Sequence, residues 1–213
     1  MKKISIISFL IIATAFNFSA CKSEAKKEES KETTTTEIEA PKSTAAFAVA
    51  NATNDIMFTA YKTTEKIGVG GWFKQIDVVS GGEGDSVKEA IHNTEFSIPV
   101  SSLMTKDTSR DYKIQKFFFG VMENTEMLSG KLMITDDATG VAQIKMNGIT
   151  QDVPFSYTVE GKTFKMNATI DVGNWKATAA LASLNKVCEL LHTGGDGVSK
   201  TWSEVALNIT STF

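Results

Sequence analysis

The sequence predicts an all-β domain, a sandwich or a barrel, and three observations predict it. Apolar and polar residues alternate with period two through many short runs. Turn residues separate those runs at regular spacing. Only two stretches place their apolar residues three and four apart, as a helix does.

The clearest pair of strands lies near the C-terminus. Val153, Phe155, Tyr157 and Val159 alternate with Pro154, Ser156 and Thr158. Phe164, Met166, Ala168 and Ile170 alternate with Lys165, Asn167 and Thr169. Glu160-Gly161-Lys162 joins the two runs, so they read as an antiparallel hairpin with one buried face. Pro154 falls on the outward face, near the strand start, where a missing N–H costs least. Val205, Leu207, Ile209 and Phe213 repeat the pattern. Further strands are expected at 55–61, 67–79, 95–100, 128–135 and 141–146. Gly68, Gly70 and Gly71 interrupt the second of these and suggest a bulge or a bend.

Ile114, Phe117, Phe118 and Val121 form the first helical stripe, a short helix with Asp107 or Ser109 as its cap. Trp175, Leu181, Leu184, Val187, Cys188 and Leu191 form a longer stripe, stopped by Gly194 and Gly195. Both stripes suit packing against the sheet, and both suit a cover over a barrel mouth.

The N-terminus has a different character. Lys2 and Lys3 precede an apolar run from Ile4 to Phe16, and Ser19 and Ala20 stand before Cys21. That order is an export signal. The run is shorter than the roughly 20 residues that a bilayer crossing needs. Phe18-Ser19-Ala20-Cys21 resembles the bacterial lipobox, which makes Cys21 the expected site of lipid attachment. Lys22 to Ala46 holds five Lys and six Glu, with Ile38 its only aliphatic residue larger than Ala. Such a segment buries too little apolar surface to offset its ordering entropy and reads as a disordered tether. The expected division is therefore a signal peptide at 1–20, a lipidated cysteine with tether at 21–46, and one folded domain at 47–213. The expected location is the cell envelope, anchored in the outer membrane because Lys22 stands where an inner-membrane retention Asp would follow the cysteine.

A domain of that length buries about 70% of its unfolded surface and needs neither disulfide nor metal to fold. With Cys21 lipidated, Cys188 has no partner in the chain and reads as a small buried apolar residue. The domain carries 15 Lys and Arg against 19 Asp and Glu, a balance that gives no sign of nucleic acid binding. No nucleophile elbow, metal-binding His pair or phosphate loop is present. His92 and His192 stand alone, and Asp136 and Asp137 before Gly140 read as a turn. The expectation is a non-enzymatic protein.

Three stretches resemble the YceI-like family of bacterial lipid-binding barrels. The first is Gly71-Trp72-Phe73. The second runs from Ile98-Pro99-Val100-Ser101-Ser102-Leu103-Met104-Thr105 through Arg110-Asp111 to Phe118-Phe119. The third is Met146-Asn147-Gly148-Ile149-Thr150 with Val153 beyond. The chain departs from the family at two polar positions: Tyr61 and Lys113 stand where relatives often have histidine. The resemblance implies an eight-stranded antiparallel lipocalin-like barrel around an elongated apolar cavity, with a short helix and one longer helical segment. It implies a lipid ligand and no required cofactor: an isoprenoid quinone, a polyprenyl lipid or a fatty acid. The expected ligand-binding residues are Phe73, Leu103, Met104, Phe118, Phe119, Met146, Phe155 and Met166. The alternative is a filled barrel that docks an envelope partner, with the loop 80–89 as its surface.

Overall fold

The computed structural model describes residues 43–213; the signal segment, Cys21 and the tether as far as residue 42 lie outside the described residues. In chain order the elements are β1 (Phe47–Ala48), β2 (Thr53–Lys62), β3 (Ile67–Phe73), β4 (Asp77–Ser80), β5 (Glu83–Gly84), α1 (Val87–Ile91), β6 (Glu95–Pro99), β7 (Leu103–Met104), α2 (Thr108–Phe117), β8 (Met127–Ile134), β9 (Thr139–Met146), β10 (Ile149–Glu160), β11 (Thr163–Asp171), α3 (Thr178–Val187), α4 (Glu189–His192) and β12 (Thr201–Thr212). One antiparallel sheet has the order β4-β6-β8-β9-β10-β11-β12-β2-β3-β7, and β1 pairs with β5 apart from it.

The all-β, barrel-like fold is the expected one, but the sheet has ten strands rather than eight. The expected strand 67–79 is broken in the middle: it stops at Phe73 and resumes at Asp77. The expected strand 95–100 ends at Pro99, and a further short strand follows at Leu103. In both cases the chain leaves one side of the sheet and reappears at the opposite edge. Phe73 to Asp77 spans at most roughly 14 Å, whereas ten flat strands would be roughly 43 Å across. The sheet must therefore curl until its edges approach. Where the two crossings pass, the Lys74 amide donates to the Ser102 carbonyl at 3.1 Å.

The glycines of β3 make neither a bulge nor the bend, because β2 and β3 pair without a register shift from Ile56–Phe73 to Lys62–Ile67. Gly71 instead makes room: a Cβ there would stand 2.3 Å from Cζ of Phe58. Pro154 is exposed but lies well inside β10, and pairing with β11 begins only at Phe155. The expected hairpin forms, with Tyr157 opposite Met166 and Gly161 at φ 60° in its turn.

The two ends of the barrel differ. At one end the rings of Phe155, Tyr157 and Phe164 stack in sequence, with centroids 6.2 and 5.3 Å apart. The Tyr157 hydroxyl donates to the Asp136 carbonyl at 2.7 Å and pins that stack to the β8–β9 turn. Here α1 presses Val87, Ala90 and Ile91 into the core, each no more than 4% exposed. The segment 80–89 is ordered: β5 pairs with β1, and Ser86 caps α1 by accepting from the Glu89 amide. At the other end lie α2 and α3. The longer helical stripe is not one helix there. It divides into a turn at Val172–Trp175, α3 and α4, with the break at Cys188. Trp175 is fully buried, and its indole Nε1 donates to the Ile144 carbonyl at 3.0 Å. None of the described helices is long and apolar enough to cross a membrane.

Candidate functional site: an apolar cavity with a cationic vestibule

Period-two alternation carries one side chain in two into the barrel. Ile56, Phe58 and Ala60 of β2 stand opposite Ile209, Leu207 and Val205 of β12 in register. All six line an internal cavity of about 210 Å³. Ile114 and Phe118 from the α2 region and Leu181 and Leu184 from α3 complete the wall at the helical end. Among the described residues Thr201 carries the wall's only hydroxyl. A dry apolar cavity of about 150 Å³ already admits an aromatic guest, and this one is larger.

Six of the residues expected to bind ligand line this cavity: Phe73, Leu103, Phe118, Phe119, Met146 and Met166. Met104 and Phe155 do not. Met104 follows Leu103 along β7, so the pleat that turns Leu103 inward turns Met104 away. Phe155 does point inward, but toward the plugged end, where its ring packs on Tyr157 and over Gly140. The sequence reasoning passed over most of the aliphatic wall, including Ile98, Leu132, Ile144 and Leu207. The alternation that defined their strands was the signal for them.

A second cavity, of about 230 Å³, adjoins the first and shares Ala60, Ile114, Leu184 and Thr201 with it. Its lining is polar: Lys62, Arg110, Lys113, Asp107 and His192, with Tyr61, Cys188 and Leu191. Tyr61 and Lys113, the two departures at histidine positions, therefore meet in one vestibule. The Lys62 ammonium donates to the Leu191 carbonyl at 2.9 Å, and Arg110 lies 3.6 Å from Asp107. Among the described residues Lys113 makes no ion pair.

Local bonds fix this arrangement. Thr105 offers both its amide and its hydroxyl to Oδ1 of Asp111, at 2.7 and 2.6 Å, which ties the end of β7 to α2. Asp107 caps α2 by accepting from the amides of Ser109 and Arg110. The amides hold its carboxyl below the usual value, Arg110 first among them, and the guanidinium adds to the effect. Asn147 and Gly148 take positive φ, 52° and 69°, as a two-residue hairpin turn demands. Asn147 then donates to the Trp175 carbonyl at 2.8 Å and accepts from the Glu123 amide at 2.8 Å, so the turn braces the helical end.

Two titratable groups of the vestibule, half-buried His192 and buried Cys188, are held neutral. His192 is pushed below its ordinary value by burial first, and further by Lys62, Lys113 and Arg110. Burial raises the Cys188 thiol, and the same three cations offset only part of that. Nδ1 of His192 lies 2.6 Å from the Thr201 hydroxyl, which itself donates to Asn185 at 2.7 Å, so Nδ1 is the donor in the first contact. A protonated thiol beside a hydrogen-bonded neutral imidazole is not an activated nucleophile. Among the described residues no three His, Cys, Asp or Glu side chains form a metal-binding group. The geometry therefore offers apolar volume and a positive rim.

The sequence model of the YceI-like domain matches residues 32–213. The chain belongs to the YceI-like family. Within it, the signature residues Leu103, Phe118 and Phe119 are cavity wall, while Thr105, Asp111 and Asn147 are braces at the helical end. The fold is similar to that of a polyisoprenoid binding domain from Saccharophagus degradans, with a TM-score of 0.53 at 10% identity, over 78% of this chain and 95% of that one. BcnA of Burkholderia cenocepacia matches with a TM-score of 0.46 at 14% identity, over 75% of this chain and 96% of its own. A YceI protein of Campylobacter jejuni matches with a TM-score of 0.44 at 19% identity, over 66% of this chain and 84% of its own. No curated protein matches the chain.

Proposed function

We propose that this YceI-like protein is an envelope lipoprotein that holds a long-chain lipid, an isoprenoid or a fatty acyl chain, in its apolar cavity. The cavity carries the reading: apolar space between two curled walls, plugged at one end and opening toward α2 and α3 at the other. The Saccharophagus relative is described as polyisoprenoid-binding, which supports the same ligand class. Each methylene moved from water into the cavity contributes about 0.8 kcal/mol. Ten would contribute about 8 kcal/mol before ordering costs, enough for useful retention without a single polar contact. No bond need be made or broken. In this reading Cys21 carries the lipid anchor, and Lys22, where an inner-membrane retention Asp would stand, supports the outer membrane.

Native mass spectrometry of residues 43–213, purified without detergent, tests the ligand. A stoichiometric extra mass that extracts as a long-chain lipid is expected. Ala60→Phe, at the junction of the two cavities, is expected to lower the bound fraction roughly tenfold by obstructing entry. A protein that stays apo after exposure to quinones, polyprenols and fatty acids would rule the reading out. The anchor has its own test: the mature chain should begin at Cys21 and carry acyl mass.

A further inference from the structure

The vestibule end of the barrel has a surface unlike the rest. Leu190 is 92% exposed, Leu191 60% and Val198 51%. Isolated exposed apolar residues need no explanation, but these three lie together. Leu190 and Leu191 are neighbours on α4, and the Gly194 amide donates to the Val198 carbonyl at 3.0 Å, which folds the following loop back beside α4. Tyr112, also exposed, faces solvent from α2 on the same end. Leu191 itself lines the vestibule, so the exposed apolar rim continues into the cavity.

Charge divides the same way. Segments 62–66, 106–116 and 186–200, which border the vestibule, carry eight cations; with Glu204, which pairs with Lys66 at 2.7 Å, they carry six carboxylates, an excess of two. The cations are Lys62, Lys66, Lys106, Arg110, Lys113, Lys116, Lys186 and Lys200; the carboxylates are Glu65, Asp107, Asp111, Glu189, Asp196 and Glu204. The remainder of 43–213 carries seven cations against thirteen carboxylates, a deficit of six. An acidic body with one basic, leucine-tipped end is oriented by a negatively charged plane. Exposed apolar side chains ringed by Lys and Arg, with an aromatic residue at the margin, match the boundary of a bilayer.

We infer that the helical end is a membrane-docking face: Leu190, Leu191 and Val198 enter the surface of a bilayer bearing anionic phospholipids, and the surrounding cations hold its headgroups. The vestibule then opens onto the bilayer, and a lipid chain passes between membrane and cavity without crossing water. The purpose of the docking rests on the lipid-carrier reading; its detection does not.

The test uses the full chain, Cys21→Ser, with a solvatochromic dye on a cysteine introduced as Leu190→Cys or, at the plugged end, as Val79→Cys. Cys188 is buried and protonated and does not compete for the dye. Vesicles of phosphatidylcholine, with or without phosphatidylglycerol, are the probe. The dye at 190 is expected to shift to the blue on anionic vesicles and the dye at 79 to stay in water, with roughly tenfold more neutral lipid needed for the same response. Equal shifts at both sites would mean adhesion without orientation and overturn the inference. So would no shift at 190, or a shift without vesicles that grows with protein concentration, which marks a second copy as the occupant. Loss of the bound lipid mass alone removes the carrier reading and leaves the docking face standing.

Discussion

Gly71 and Phe58 face each other across β3 and β2, and the fit between them shows how the cavity is shaped residue by residue. The missing side chain at 71 lets the Phe58 ring lie across the sheet, where it lines the cavity rather than crossing it. Gly71→Ala places a methyl against that ring and is expected to cost about 1–3 kcal/mol. Phe58→Leu should recover most of that loss in the double variant, although alone it destabilises. Urea unfolding of the four proteins measures the coupling; additive losses would show that the contact is not the cause. The same residue marks the limit of reading by residue type. Three glycines in a strand suggested a bend, but the bend lies at 74–76, where composition gives no signal. Met104 shows the same limit: it is a plausible cavity methionine by type and lies off the wall by pleat.

At the scale of elements, α2 decides access to the cavity, and its hold on the barrel is polar. Asp107 caps it, and Thr105 with Asp111 ties it to β7. None of its residues is fully buried, so the cap carries more of its stability than in a core helix. Asp107→Ala is expected to cost about 1 kcal/mol. Local opening should raise amide exchange across α2 about fivefold and leave β10 and β11 unchanged. Uniform acceleration would mean that α2 unfolds only with the whole domain. Asp107, one of the two expected caps, was legible in the sequence because capping is local; the apolar stripe runs past the end of α2 at Phe117, and Phe118 and Val121 belong to the turn that follows. The division of the second stripe at Cys188 was not legible, since its apolar spacing continues through the break.

For the whole molecule, the shifted titrations together fix the pH range of stability. His192 is depressed, so an unfolded chain takes up a proton below the ordinary 6.5 that the folded chain refuses. Its contribution is full above that pH and is lost as pH falls. Asp107, Asp136 and Asp196 are held below their ordinary 3.8 mainly by hydrogen bonds, Thr139 foremost for Asp136, so their contributions are lost below about 4. Burial raises Cys188 above 9.0, so the unfolded thiol ionises first and stability falls again above that value. Urea midpoints should be level from about pH 7 to 9 and fall on both sides. His192→Gln should flatten the fall that begins below pH 6.5 and leave the step below pH 4. A midpoint level down to pH 5 in the parent protein would contradict the burial of His192.

The sequence by itself determined most of the strand runs, the β10–β11 hairpin and the cap of α2, and the family resemblance named six residues that line the cavity. These follow from short-range rules: alternation, φ sign, backbone donors left free at a helix end, and motif spacing. The tertiary structure alone decided that the sheet curls through two three-residue crossings, that α1 and an aromatic stack close one end, and that Lys62, Arg110, Lys113 and His192 share a vestibule at the other. Those residues come from β2, α2 and α4, more than 120 positions apart at the extremes. Charge and volume add in space, and no spacing along the chain records which distant groups the closure of a barrel brings to one mouth.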